Sequence, residues 1–248
     1  MRKLALIAAM ACAGVAQAQE IPSDAKALIK SLYTEALGEQ QGYQWLKYMC
    51  EEIGPRPSGS EAANEAARWA QQALLHAGAD TAWLQPVDVP KWHRGEEWSK
   101  AYAGGAPVVL PTTALGGSVP TPAEGVRAAV VEVGSFEELE ALGEAGLKGK
   151  IVFYNTYMDH SKISTFNAYG GAVKYRWAGA MEAGKYGAVA TVMRSVTLLR
   201  DDLPHTGSMS YGESEIQVPS AAISWQAADR LAQMLEAGEK VELELYLD

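Results

Sequence analysis

The sequence predicts an α/β protein with three parts: N-terminal helices and a strand, an inserted mixed-sheet region over residues 107–222, and a short return segment at the end. Three observations carry this. Apolar residues recur at helical spacing up to residue 75. The texture then changes near Ala106 to short apolar runs separated by helical stretches. The run AVATVM, residues 188–193, is apolar without a break, which suits a strand covered on both faces.

From Ser23, the residues Ala27, Leu28, Leu32, Tyr33 and Leu37 share one helical face, and Gly38 stops the run. A second helix is expected over residues 42–53. It carries Cys50, read as a buried thiol because no histidine or basic residue stands near it in sequence to lower its pKa. Gly54-Pro55-Arg56-Pro57 then enforces an extended turn, since neither proline can continue a helix. Arg56 between the prolines is suited to tie carbonyls or a carboxylate at the helix entrance. Ser58, three residues before Glu61, has capping-box spacing ahead of an alanine-rich helix through Leu75, which Gly78 ends. Residues 81–89 alternate as a strand broken at Pro86. Residues 90–105 are tryptophan-rich and read as irregular.

Beyond Ala106, strands are expected at residues 108–110, 127–133 and 150–154, with a helix and loop in SFEELEALGEAGLKG. A helix over 174–186 leads into the buried strand, residues 187–194. A polar loop, 195–217, a strand at 220–224, a helix at 226–237 and a strand at 240–247 complete the order. In the last strand, Val241-Glu242-Leu243-Glu244-Leu245 alternates apolar and acidic, which suits a sheet edge or a half-exposed strand.

The N-terminus reads as an export leader. Arg2 and Lys3 precede an apolar run ending at Val15, and Ala16-Gln17-Ala18 offers small residues for cleavage. The run is too short to span a bilayer, which takes about 20 apolar residues, so no membrane association is expected after cleavage. Of the two cysteines only Cys50 would remain, which rules out an internal disulfide in the exported chain. With 30 acidic against 21 basic residues and no basic run interleaved with aromatics, nucleic acid is not an expected partner.

No constellation in the chain has the spacing of a complete catalytic centre. His76 falls at a helix end, His93 has only Glu96 nearby, and Asp159 and His160 are adjacent and so point apart. Ser208-Met209-Ser210-Tyr211-Gly212 lacks the first glycine of a nucleophile elbow. The pairs Gly104-Gly105, Gly116-Gly117 and Gly170-Gly171 match neither a phosphate loop nor a dinucleotide fingerprint, and read as loops.

Two stretches carry a family resemblance: EIGPRPSGSEAANEAARWAQQALLHAGAD, from Glu52, and YRWAGAMEAGKYGAVATVMRSVTLLRDDLPHTGSMSYGESEIQVPSAAIS, from Tyr175. Together they resemble secreted zinc exopeptidases of the carboxypeptidase Q type. The resemblance implies a signal peptide at 1–18, the N-terminal part of a peptidase domain at 19–106, a protease-associated (PA) domain at 107–222 and the start of a return to the peptidase domain at 223–248. The implied fold is an incomplete zinc-exopeptidase α/β core with an inserted mixed α/β PA domain. The implied activity, in the full-length parent, is hydrolysis of terminal peptide bonds in small peptides by two zinc ions with a glutamate as general base. The family's metal segment, led by a His-x-Asp, has no match here, so no catalytic residue, no metal ligand and no bound zinc are expected in this chain. Pro204-His205-Thr206-Gly207 matches the family's PA pattern, which implies substrate-facing roles for His205, Thr206, Gly207, Ser208 and Tyr211. Self-organising hydroxyl and Asx turns are the competing account of that loop. The rival function is a peptide- or protein-binding module without catalysis.

Overall fold

The computed structural model describes residues 22–248; the expected leader lies outside them. The chain divides into two compact units, one ending at Pro90 and one spanning Lys91–Asp248.

In the first unit, α1 (Ser23–Glu39) and α2 (Gln41–Tyr48) are separated by Gln40, whose positive φ of 49° breaks the helix. α2 runs on into a π-helical turn, Met49–Ile53, and α3 covers Glu61–His76. Arg56 donates to the carbonyls of Met49 and Gly54, so its role is the tie expected from its two prolines. The cap of α3 differs from expectation. Ser60, not Ser58, accepts the Ala63 N–H at 3.1 Å, because a turn from Pro57 through Gly59 (φ 75°) places Ser60 at the last non-helical position. Glu61, now in the first turn, pairs with Arg68 at 2.7 Å instead. Cys50 is exposed, not buried. None of the three α-helices holds a buried residue, and Leu32 and Leu37 are exposed. Residues 81–89 form no strand: no described strand pairs with them, and their alternation is left without a partner ladder.

The second unit is built on one eight-stranded sheet in the order β2-β1-β8-β4-β5-β6-β7-β3. β4 (Val126–Val133), β5 (Ile151–Tyr154), β6 (Ala190–Arg194) and β7 (Ser220–Ile223) are parallel neighbours. α4 (Phe136–Leu147) and α5 (Thr165–Gly184) provide the first two crossovers, and α6 (Trp225–Glu236) follows β7. β5 shows why both faces read apolar. Val152 and Tyr154 join Leu139, Leu147 and Ala180 in one core, while Ile151 and Phe153 join Ala227, Leu231 and Leu243 in the other. α4 and α5 cover the first face and α6 the second.

β1 (Glu97–Tyr102) lies where irregular chain was expected, and β8 (Glu242–Leu247) pairs on both sides, with β1 and with β4. The alternation of β8 therefore belongs to an interior strand, with Leu243, Leu245 and Leu247 buried and Glu242 exposed. Pairing on both sides overturns the edge alternative, the half-exposed one stands, and Tyr102 and Arg127 on the two flanking strands accommodate the acidic residues. Tyr102 Oη donates to Glu244 at 2.6 Å, and Arg127 bonds Glu242 at 2.9 Å. α5 begins well before the expected residue 174 and takes in Gly170 and Gly171, which are helical and not a loop.

β2 (Val108–Leu110) and β3 (Thr112–Ala114) flank Pro111. β2 pairs with β1 and β3 with β7, so this bent segment brings the two ends of the sheet together. Side chains finish the near-closure: Ser99 Oγ meets Thr112 Oγ1, and Glu97 Oε2 accepts the Ala114 N–H at 2.8 Å. Arg94 binds both Glu97 and the Ala114 carbonyl at 2.8 Å. Carboxylate and guanidinium thus stand in for ladder bonds between β1 and β3.

Candidate functional site

Past the C-terminal ends of the parallel strands lies the polar loop that the sequence singles out. It is pinned to residues 114–116, which continue β3. Thr206 Oγ1 donates to Ala114 O (2.7 Å), Gly116 N–H to Gly207 O (2.8 Å), and Met209 N–H back to Gly116 O (3.0 Å). Ala114 O also receives Arg94, so loop and sheet closure share one acceptor.

The five candidate residues part company here. Tyr211 is buried, and its hydroxyl donates to Val218 O (2.7 Å) while accepting the Val119 N–H (3.1 Å). Burial pushes its phenol above the ordinary tyrosine range. Its hydroxyl is thus held by backbone groups on both sides. The Thr206 hydroxyl is committed to the sheet. Gly207 lies under Arg176: a Cβ at this position would stand 2.5 Å from the guanidinium carbon. The Ser208 residue is exposed and its backbone forms the bridge to Gly116. His205 donates its backbone N–H to Ser195 Oγ (2.8 Å), and its Nε2 stands 3.5 Å from Asp201 Oδ1 without a hydrogen bond among the described residues. Of the five, the Ser208 side chain is exposed with no hydrogen bond among the described residues, and the His205 ring keeps an Nε2 that is shielded from solvent and unbonded.

Two arginines complete the region, and the sequence motifs did not mark either. Arg194, at the end of β6, is fully buried. Nε donates to Asn155 Oδ1 (2.7 Å), Nη1 to Trp225 O (3.2 Å) and Nη2 to Tyr157 Oη (2.9 Å), and Nη1 forms an ion pair with Asp229 Oδ1 (2.7 Å). The rings of Tyr157 and Trp225 stand 4.0 and 4.8 Å from its guanidinium. It joins the loop after β5 to the start of α6. The signal available in sequence was a charged residue directly after AVATVM, a strand with no solvent face. Arg176, on α5, donates to Tyr169 Oη and lies 5.3 Å from that ring.

Among the described residues no three His, Cys, Asp or Glu side chains converge as a metal requires. His76 Nδ1 faces the Gln72 carbonyl at 2.9 Å, and Asp159 is engaged by Ser161 and Lys162. The described residues do not fit a zinc centre. No described helix is long and apolar enough to cross a membrane.

No protein-family model matches the chain. In three dimensions it aligns with a peptidase M28 precursor of Shewanella amazonensis at a TM-score of 0.80 and 33% identity, over 90% of this chain and 50% of that one. A zinc aminopeptidase of Bacillus subtilis shares the fold at a TM-score of 0.51 and 20% identity, over 84% of this chain and 43% of that one. The fold is thus that of a peptidase M28 chain over the matched part. The chain is similar to carboxypeptidase Q over 90% of its length. It is 38% identical to the Xenopus laevis protein over 223 residues and 34% identical to the human protein over 225, in each case 90% of this chain and 45% of the relative. It spans about half the length of the curated relatives it matches.

Proposed function

We propose that this polypeptide is the N-terminal part of an exported zinc exopeptidase that hydrolyses a terminal peptide bond of small peptides by a two-zinc mechanism. Its metal ligands are then not among residues 22–248, and residues 107–222 serve as a PA domain over the substrate. The observation that supports this best is the 38% identity with carboxypeptidase Q over 90% of the chain. Residues 1–18 direct export. Peptides are the partners, with neither nucleic acid nor membrane involved. His205 and Ser208 face the substrate.

The test is zinc content and dipeptide turnover of the purified 248-residue protein. Less than stoichiometric zinc and no turnover are expected, because zinc binding repays folding only when ligands converge. Stoichiometric zinc with turnover would overturn the placement of the ligands outside this chain. In an active longer polypeptide, His205→Ala is expected to lower kcat/KM about five- to a hundredfold with little change in melting temperature. Unchanged kinetics would remove His205 from the substrate.

A second reading, a peptide-binding module without catalysis, is favoured by the absence of converging metal donors among the described residues. The native polypeptide separates the two. A species about twice the length of this chain with peptidase activity supports the exopeptidase, whereas a short inactive species supports the module.

A further inference from the structure

Between β1 and β3 the sheet is closed by side chains, and the polar loop hangs from the same spot. Thr113 stands opposite Ala222 of β7 and the Leu115 N–H bonds Ser220 O, so strand alternation turns the N–H and C=O of Ala114 the other way, toward β1. Among the described strands no ladder joins β1 to β3, and the two Ala114 groups take side-chain partners instead. Glu97 Oε2 accepts the N–H and Arg94 Nη1 donates to the carbonyl, both at 2.8 Å. Glu97 and Arg94 pair with each other at 2.8 Å, their side chains are 18% and 33% exposed, and the Trp92 ring stands 4.8 Å from the guanidinium.

That much closes the sheet. The Ala114 oxygen has a second lone pair, and the Thr206 hydroxyl donates to it at 2.7 Å. Beyond this contact the loop pairs with residue 116: Gly116 N–H donates to Gly207 O at 2.8 Å, and Met209 N–H to Gly116 O at 3.0 Å. His205 and Ser208 flank the tethered pair Thr206-Gly207. A carbonyl at an unpaired strand edge is free to tilt, and a hydrogen bond weakens steeply once donor and acceptor are misaligned. Holding Ala114 by both its N–H and its C=O removes that freedom.

We infer that Arg94 and Glu97 are positioning residues for the loop that carries His205 and Ser208, acting through the Ala114 carbonyl from which Thr206 suspends it. The consequence for catalysis rests on the proposal that His205 and Ser208 face the substrate. The consequence for loop geometry does not.

The experiment is amide hydrogen exchange, read by NMR, on the 248-residue protein and its variants. Arg94→Met should speed exchange at Gly116 and Met209 about tenfold, as for loss of one hydrogen bond, and leave Val192 in β6 at its wild-type rate. Thr206→Val should have the same effect. The double variant should lose no more than the larger single, because both changes break one chain of contacts. Arg94→Lys and Thr206→Ser, which keep a donor, should restore most of the protection. Coupling is reciprocal, so Thr206→Val should also speed exchange of the Ala114 N–H that Glu97 holds. This last measurement leaves the closing pair untouched and decides the question even if Arg94→Met fails to fold. Additive effects in the double variant, a change at Val192 as large as that at Met209, or an Ala114 amide indifferent to Thr206→Val would each overturn the inference. In an active longer polypeptide Arg94→Met should lower kcat/KM about as much as Thr206→Val does. Coupled exchange with kcat/KM unchanged in both would leave the positioning in place and remove His205 and Ser208 from the substrate.

Discussion

The two units obey the same local rules and differ in what those rules achieve. α1 and α3 have apolar faces, α3 has a serine cap, and they contain no buried residue. α6 has equivalent features, with Ser224 capping Ala227 N–H at 3.0 Å, yet it buries Trp225, Ala227, Ala228, Leu231 and Ala232. The difference is a sheet. Amphipathic pattern and caps decide that a helix forms, whereas a covering surface decides whether its apolar stripe is removed from water.

The sharpest way to break that contrast is to remove one arginine from each unit. Arg194→Ala should cost the Lys91–Asp248 unit about 3–5 kcal/mol, because it empties the fully buried space the Arg194 side chain fills and leaves Asn155 and a Trp225 carbonyl without their shared partner, whereas Asp229, with its side chain 43% exposed, can turn to solvent. Arg68→Ala, which breaks an exposed pair with Glu61, should change local stability by less than about 0.5 kcal/mol. Urea midpoints for the first and residue-resolved hydrogen exchange for the second are the measurements. Similar effects would mean that burial is not the distinction.

Leucines extend the comparison at slightly smaller scale. Leu243→Ala in β8 should cost about 2–5 kcal/mol, since Leu243 is fully buried between strand neighbours and α6. Leu32→Ala in α1, where the side chain is 56% exposed, should be near neutral because alanine is at least as good a helix former. The same hydrogen-exchange data should show β8 amides protected as well as those of β6, as befits a strand paired on both sides. A β8 that exchanges early would restore the edge-strand expectation.

How much was legible follows the same line. Most helices and strands of residues 106–247 were readable because their apolar spacing, turn glycines and caps are local properties. β1 and β3 were not. Glu97–Tyr102 becomes a strand through pairing with β8, more than a hundred residues away, and no local signal marks that partner. Residues 81–89 failed the opposite way, with strand-like alternation and no strand to join. At the site, the loop 204–211 was legible as a polar, hydroxyl-rich segment that matches a family pattern. What it could not reveal was which hydroxyls were already spent. Thr206 and Tyr211 bond backbone groups at 114, 119 and 218, and only the fold brings those within reach.

Tyr211→Phe sharpens this point. Losing the hydroxyl strands the Val218 carbonyl and the Val119 N–H, so stability should fall by about 1–3 kcal/mol. A thermal melt reads the loss. If Tyr211 were instead a ligand contact, melting would be unchanged and peptide binding would fall.

The smallest expected effect is a pH dependence at the start of α6. Asp202 accepts a hydrogen bond from the Ser224 hydroxyl and two from Arg230, at 3.1 and 3.3 Å, and Ser224 in turn caps the helix. The Ser224 hydroxyl, aided by the Arg230 guanidinium, holds the Asp202 carboxyl below its ordinary value, against the opposing effect of partial burial. A carboxyl with a lower pKa folded than unfolded contributes stability that is fully present above the unfolded value, about 3.9 for aspartate, and is lost as pH falls through the folded value. The contribution should therefore be constant from neutral pH down to about 4 and fade below it. Because the Asp202 side chain is 43% exposed, solvent screening limits it to less than about 1 kcal/mol. Asp202→Asn removes the titrating group, so the wild type and the variant should differ in urea midpoint above pH 4 and converge as the pH is lowered. A difference that instead grows on acidification would show that the protonated carboxyl is the form the helix cap prefers, and that the Ser224 hydroxyl donates elsewhere.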